Sequence, residues 1–181
     1  MHPLAAALSA YAPSDADEQA YKAAMTTLLA EEQRCFWRDA FSPGHFTGSA
    51  LVTNPGRDKV LLMHHKLLRR WMQFGGHADG EPDLAAVALR EATEESGFPA
   101  HAFSPHRAVF DLDIHPIPAN PKRGEPEHRH FDVRYLLELD DALPLPPNPE
   151  GLTLRWLTLA DAAILVASER GLLRMLEKVA A

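Results

Sequence analysis

The amino-acid sequence predicts an α/β fold (an α+β sandwich), in which a mixed sheet is flanked by helices. Three observations lead to this prediction. The 181 residues are 46% hydrophobic and 24% charged, which is the balance of one soluble globular domain with one core. Several segments alternate apolar and polar residues with the period of two that strands require. Other segments, before, between and after the strands, carry apolar residues at helical spacing.

The first 41 residues differ from the rest and predict an N-terminal helical extension. Residues 15–38 are rich in Ala and Glu and carry apolar side chains at helical spacing. Asp15 offers a side chain that caps a helix N-terminus. We expect this extension, residues 1–41, to cap the sheet of the main domain, residues 42–181, or to contribute to a homodimer interface.

The main domain contains all the predicted strands. One helix is predicted over residues 82–96, because no breaker interrupts this segment and Gly97 suits the left-handed position that follows a helix. A helical pair is predicted from Leu159 onward, after a Pro-rich loop at 143–149. The sequence shows no internal repeat and no interdomain linker. The predicted strands cover residues 45–53, 59–65, 71–74, 108–115, 129–139 and 154–157.

The charge balance and the termini limit the function classes. Eighteen Lys and Arg against 25 Asp and Glu give a formal net charge of −7, which disfavours non-specific binding to nucleic acid or to an anionic membrane. The N-terminus lacks a basic segment and no run of eighteen apolar residues occurs, so we expect a cytoplasmic protein. The single Cys35 excludes an internal disulfide and a zinc site built on cysteines.

Three glutamates on the predicted helix carry the strongest functional signal. Glu91, Glu94 and Glu95 are spaced i, i+3, i+4 and share one helical face. Like charges at this spacing cost about 0.2–0.5 kcal/mol per pair, so local energetics oppose the arrangement. The same stripe begins at Leu84 with apolar residues, which favours a cavity lining over a solvated charged face. Crowded carboxylates bind hard cations, and the spacing therefore predicts a Mg²⁺ or Mn²⁺ site.

The stretch from Gly76 to Phe98 resembles the Nudix box of Nudix hydrolases, written G-x5-E-x7-R-E-U-x-E-E-x-G-U. From Arg90 onward the sequence Arg-Glu-Ala-Thr-Glu-Glu-Ser-Gly-Phe matches every fixed position. Gly76 lies fourteen residues before Arg90, as the pattern requires. The first Glu of the pattern falls on Pro82, and Glu81 stands one place early. The sequence therefore does not decide whether Glu81 makes the contact with Arg90 that the first Glu of the pattern often makes.

The resemblance implies a Nudix-like fold and a metal-dependent pyrophosphohydrolase. Its substrate would be a nucleoside diphosphate linked to another moiety, such as a nucleotide sugar, an ADP-ribose-like molecule or a nucleoside triphosphate. By the same resemblance, Glu91, Glu94 and Glu95 are metal ligands, and Arg90, Glu94 and Glu95 are catalytic. Gly76 is the loop glycine that approaches the substrate. The general base and the number of metal ions stay open, as does the alternative of a Nudix-fold module that binds or senses nucleotides without turnover.

Two later strands each present one polar face. If they pair antiparallel, the acids and imidazoles of the two strands meet. A half-exposed sheet with its polar side in water explains the pattern about as well as a functional role does. For the functional role we single out His115, His130 and Asp132 as candidates for substrate contact, second-metal ligation or general base. The alternating polar residues are Asp111, Asp113 and His115 on one strand, and His128, His130, Asp132 and Arg134 on the other.

Trp71 and the basic residues before it are further substrate-binding candidates. Trp71 suits either the core or stacking against an adenine ring. Lys66, Arg69 and Arg70 precede the Gly-Gly turn, where they could meet phosphates or lie in solvent. Nudix-fold isomerases use a Cys near that turn. Cys35 lies well before it, so we do not expect an isomerase. From the resemblance, the expected partner is a small nucleotide-like substrate. From the negative net charge, we expect no binding to a nucleic-acid polymer or a membrane.

Overall fold

The computed structural model describes residues 2–65, 69–147 and 152–181. Lys66 and part of the predicted Pro-rich loop lie outside the described residues. In chain order, the elements are α1 (Pro3–Ala10), α2 (Ala16–Glu31), β1 (His45–Thr53), β2 (Lys59–His65), β3 (Arg70–Met72), β4 (Phe74–His77), α3 (Leu84–Ser96), a 3-10 turn (Ala100–Ala102), β5 (Ser104–Ile117), β6 (His128–Glu138), β7 (Thr153–Thr158), α4 (Leu159–Leu165) and α5 (Arg170–Ala180).

The described strands form one mixed sheet, which confirms the predicted fold class. The main path runs β3-β2-β1-β6-β5, while β4 also pairs with β1 and β7 with β2. β1 and β6 are parallel, with His45 opposite His130, and the other pairs are antiparallel. Every residue of β1 is buried, because apolar clusters cover both faces of the sheet.

Most predicted elements are confirmed, and three differ. The helix predicted over residues 15–38 ends at Glu31. Strands 45–53 and 59–65 have the predicted bounds. The segment predicted as one strand at 71–74 is divided at Gln73, because β3 pairs with β2 whereas β4 pairs with β1. Helix α1 is an addition: its eight residues bury Leu4 and Leu8 against the core, a contact that local periodicity over so short a segment does not reveal.

Helix α3 is capped by Asp83 at its start and by Gly97 at its end. The Asp83 carboxylate accepts hydrogen bonds from the backbone N–H groups of Ala85 and Ala86, each at 3.2 Å. Gly97 ends the helix with a φ of 81°, a left-handed conformation that costs glycine little. The buried stripe of the helix packs on β1 and β4. This packing holds the glutamate face beside the end of β4.

The N-terminal helices belong to the same hydrophobic core as the sheet. Leu4 and Leu8 of α1 and Met25 and Leu28 of α2 join the cluster that contains Phe46 of β1. Helix α2 also contacts β5. The extension therefore covers one face of the sheet. Within the described residues, every helix is too short or too polar to cross a membrane.

A buried ionic network ties the extension to the C-terminal helix. Glu18 of α2 is fully buried, and its carboxylate accepts hydrogen bonds from Lys178 of α5 at 2.6 Å, from the Ser14 hydroxyl at 2.7 Å and from the Tyr11 hydroxyl. Lys178 also contacts Asp111 of β5 at 2.8 Å. Burial opposes ionisation of Glu18, but these hydrogen bonds outweigh it and hold the pKa of the carboxyl below its usual range.

Candidate active site

The three glutamates of α3 have different surroundings. The side chain of Glu91 is 13% exposed, whereas that of Glu94 is 54% exposed. Glu95 accepts a hydrogen bond from the backbone N–H of Gly75 at 2.9 Å. Burial raises the pKa of Glu91, the positive charge of Arg90 lowers it, and the negative charge of Glu94 raises it further.

Gly76 makes room for Glu91. A Cβ added at Gly76 would lie 2.5 Å from the carboxyl carbon of Glu91, a distance that real Cβ atoms essentially never show. The glycine therefore lets the helix carboxylate approach the backbone of β4 directly. Carboxylate oxygens beside a backbone strand are the donors that Mg²⁺ and Mn²⁺ prefer, so the residues at this position fit such an ion.

Arg90 links the glutamate face to the end of β4. One guanidinium nitrogen lies 2.8 Å from Glu91 and 3.3 Å from Glu94, and the other donates a hydrogen bond to the backbone carbonyl of His77 at 2.8 Å. Glu81 has a different place: its carboxylate accepts a hydrogen bond from the backbone N–H of Asp83 at 2.8 Å. The displaced first Glu thus lies at the start of α3, where a negative charge favours the helix dipole.

A cavity of about 270 Å³ opens between β3, β5 and α5. It brings together Trp71 and His115, two residues that are far apart in the sequence. Its cationic side chains are Arg70, which also pairs with Glu169 at 3.1 Å, and the buried Arg134. Gln73, in the lining, immediately precedes β4, the strand whose Gly75 donates a hydrogen bond to Glu95. The lining residues are Arg70, Trp71, Met72, Gln73, Asp113, His115, Pro116, Arg134, Glu169, Gly171 and Leu172.

His115 is held at the cavity by Asp113, which is in turn held by Arg134. Its Nδ1 lies 3.0 Å from Asp113, and Asp113 accepts a hydrogen bond from Arg134 at 3.0 Å. Burial raises the pKa of Asp113, but the His115 hydrogen bond and the Arg134 charge outweigh it and keep the pKa below its usual range. An ionised carboxylate on one ring nitrogen orients the imidazole for proton transfer through the other.

Asp132 has a different environment from the cavity residues. It is buried, and its carboxylate accepts hydrogen bonds from Thr47 at 2.9 Å, from Ser49 at 2.7 Å and from Arg134 at 2.8 Å. These contacts give Thr47 and Ser49, two polar residues of β1, a structural role. They hold β1 and β6 together and orient Arg134 toward the cavity, so Asp132 acts on the site through its neighbours.

His130 lies in a cluster of histidines rather than in the cavity lining. The antiparallel pairing predicted for β5 and β6 is confirmed, and it places His115 opposite His130. The His130 ring lies 4.9 Å from that of His45, 5.0 Å from His77 and 5.3 Å from His128. The sequence pattern did not single out His77. The only feature of the sequence that could have pointed to a functional role for His77 is its position directly after Gly76.

Comparisons with known proteins decide the family. A family model described as NUDIX domain matches residues 45–176, which is more than half of the chain and includes the glutamate helix and every strand. The chain belongs to the NUDIX domain family. The Nudix-like fold expected from the sequence is thereby confirmed.

Individual relatives are similar over part of the chain or in fold. A curated protein of Lactococcus lactis subsp. cremoris, "Probable DHNTP pyrophosphohydrolase", is 33% identical over 95 residues, which are 52% of this chain and 54% of that protein. The chain thus spans about half the length of this relative. The E. coli dihydroneopterin triphosphate pyrophosphohydrolase has a TM-score of 0.57 and 17% identity, covering 74% and 92% of the two chains. The C. elegans Ap4A hydrolase has a TM-score of 0.54 and 19% identity, covering 75% and 95%.

Proposed function

We propose that this Nudix protein is a Mg²⁺- or Mn²⁺-dependent pyrophosphohydrolase of small nucleotide-like substrates. One observation carries the proposal: the carboxylates of α3 lie against the backbone of β4, with Glu91 at Gly76 and Glu95 on the N–H of Gly75. Glu91, Glu94 and Glu95 are the proposed metal ligands. When bound, the metal supplies a Lewis acid for the phosphoryl oxygens and a water of lowered pKa.

The residues of the chain perform the other parts of the reaction. Arg90 holds Glu91 and Glu94 in position and anchors them to β4. The protein carries a net charge of −7, so a pyrophosphate needs local positive charge to bind, and the metal ion would provide it. Arg70 and Arg134 line the cavity, where their charges are paired with those of Glu169 and of Asp113 and Asp132. In the proposed reaction water attacks phosphorus, and the general base is Glu94, Glu95 or a residue outside α3, for which His115 is the candidate in the cavity.

We further propose a triphosphate that carries a planar heterocycle as the substrate class. Trp71 lines the cavity beside the two arginines and offers an aromatic surface for such a ring. The Lactococcus and E. coli proteins are named for DHNTP and dihydroneopterin triphosphate, which belong to this class. Cleavage would release the monophosphate and pyrophosphate.

A substrate panel tests the proposal directly. Dihydroneopterin triphosphate, nucleoside triphosphates, ADP-ribose, nucleotide sugars and dinucleoside polyphosphates are incubated with the protein in Mg²⁺, in Mn²⁺ and in EDTA. We expect release of pyrophosphate from the heterocyclic triphosphates with either metal and none in EDTA. Turnover confined to another group would contradict the substrate class. Tight binding with no turnover of any substrate would instead support a Nudix module that only binds nucleotides.

Replacing Trp71 by Ala is expected to raise KM about tenfold and to leave kcat nearly unchanged, because stacking on a base contributes about 1–3 kcal/mol. Steady-state kinetics on the best substrate of the panel measure the effect. Trp71→Phe keeps an aromatic face and should restore most of the affinity. Trp37, which is 47% exposed outside the cavity, provides the matched control Trp37→Ala. An unchanged KM in Trp71→Ala would assign Trp71 to the core alone.

A further inference from the structure

Three histidines converge where β1 and β6 begin. The parallel register sets His45 opposite His130, and His128 precedes His130 by two residues on the same face of β6. One ring nitrogen of each of the three lies within 4.8 Å of the others. Among the described residues, this is the group of His, Cys, Asp and Glu side chains that comes together closely enough to share a metal ion.

The hydrogen bonds of the cluster orient its lone pairs. Nδ1 of His45 lies 3.2 Å from the carbonyl of Ala40, and Nδ1 of His128 lies 2.8 Å from the carbonyl of Pro126. A carbonyl only accepts, so each Nδ1 must carry the proton and each Nε2 the lone pair. Metal-binding histidines are commonly held in this way, with one nitrogen on a backbone carbonyl and the other on the metal.

Two of these nitrogens lack a hydrogen-bond partner among the described residues. They are Nε2 of His45 and Nε2 of His130, and both are buried. Leaving a buried polar atom without a partner costs about 1–3 kcal/mol, so native proteins rarely keep two side by side without a ligand.

We infer that His45, His128 and His130 bind a transition-metal ion of the Zn²⁺ class at a site separate from the glutamates of α3. Neutral imidazoles suit Zn²⁺ and its neighbours, whereas Mg²⁺ and Mn²⁺ prefer oxygen ligands. A tetrahedral site with Zn–N bonds near 2.0 Å separates its nitrogens by ~3.3 Å, so metal binding would draw these nitrogens, now within 4.8 Å of one another, closer together. Three protein ligands leave one position for water or for a fourth side chain.

His77 is the candidate for that fourth position. Its ring lies 5.2 Å from the ring of His45 and 5.0 Å from that of His130. Its backbone carbonyl is the acceptor for Arg90. A metal held by His45, His128, His130 and His77 would thus connect β1, β6 and β4, and would fix the strand that carries Gly76.

Metal binding by the untagged protein tests the site independently of any activity. After removal of metals, we expect the chain to bind one Zn²⁺ in competition with a chromogenic chelator. Co²⁺ in place of Zn²⁺ is expected to give the intense visible bands of four-coordinate cobalt. His45→Gln and His130→Gln should each weaken Zn²⁺ binding at least about tenfold. Glu95→Gln and His101→Gln, the latter on an exposed residue, should keep it.

The outcomes separate the proposed metal site from a packed cluster of neutral rings. Failure of the wild-type protein to bind Zn²⁺ would overturn the inference, as would wild-type affinity in a folded His130→Gln protein. Loss of binding in Glu95→Gln would move the metal to α3 and also overturn it. If the histidine variants do not fold, the Co²⁺ spectrum of the wild-type protein decides, because the weak bands of six-coordinate cobalt would contradict a site built on histidines.

Discussion

Glu94→Gln and Glu95→Gln are each expected to lower kcat/KM at least about 100-fold while leaving the fold intact. Gln has nearly the same size as Glu and lacks the negative charge that a Mg²⁺ ligand provides. Glu95→Gln can still accept the hydrogen bond from Gly75, so its loss of activity would report on the charge rather than on this contact. Steady-state kinetics at saturating Mg²⁺, with circular dichroism and a thermal melt on each variant, measure the effect.

Glu81→Gln is the control for this pair, and it also tests the displaced first Glu of the Nudix box. The Glu81 carboxylate binds the backbone N–H of Asp83 at the start of α3. We therefore expect turnover close to that of the wild-type protein. A loss in Glu81→Gln as large as in Glu95→Gln would give Glu81 a part in catalysis. Normal turnover in both Glu94→Gln and Glu95→Gln would rule out the proposed metal ligands.

Glu18→Gln is expected to lower the free energy of unfolding by about 3–5 kcal/mol, because it removes one partner of a buried ion pair. The side chain is fully buried, and Lys178 donates to it at 2.6 Å. The variant leaves Lys178 with Asp111 as its remaining carboxylate. Urea unfolding of both proteins at neutral pH measures the difference. Glu31→Gln, on the exposed end of the same helix, is the matched control and should change little.

The effect of Glu18→Gln depends on pH in a direction that the structure fixes. The pKa of Glu18 is lower in the folded protein than its ordinary value of 4.5. The stabilisation by its charge is therefore complete above that ordinary value and is lost as the pH falls toward the lowered pKa. The stability gap between the wild-type protein and Glu18→Gln should narrow in acid. A gap that stays constant from neutral to acid pH would exclude the charge as its cause.

Local features of the chain were sufficient to predict the glutamate helix. Asp83 caps it, Gly97 ends it, and its apolar stripe continues into Glu91, Glu94 and Glu95, so all the information lies within about fifteen residues. The strands 45–53 and 59–65 were predicted for the same reason, since period-two alternation is local. The Nudix resemblance rested on these local patterns and is confirmed by the family match.

The surroundings of the helix required the tertiary structure. Asp132 was a candidate for substrate contact, second-metal ligation or general base, and the sequence did not show its hydrogen-bond partners. Thr47 and Ser49 donate hydrogen bonds to it, and Thr47 lies 85 residues away in the chain. Trp71 and His115 meet in one cavity because β3 and β5 both border α5. These contacts depend on which strands pair, and alternation does not specify pairing.

The histidines illustrate the same division most clearly. The sequence by itself determined that His128 and His130 share one face of a strand, because side chains two residues apart on a strand point the same way. The parallel pairing of β1 with β6 decided that His45 joins them, and the pairing of β4 with β1 brought His77. Local sequence patterns therefore determined the helices, the strands and the face of α3 that carries the glutamates. Long-range strand pairing set which side chains share a site, because it depends on the burial of the whole sheet.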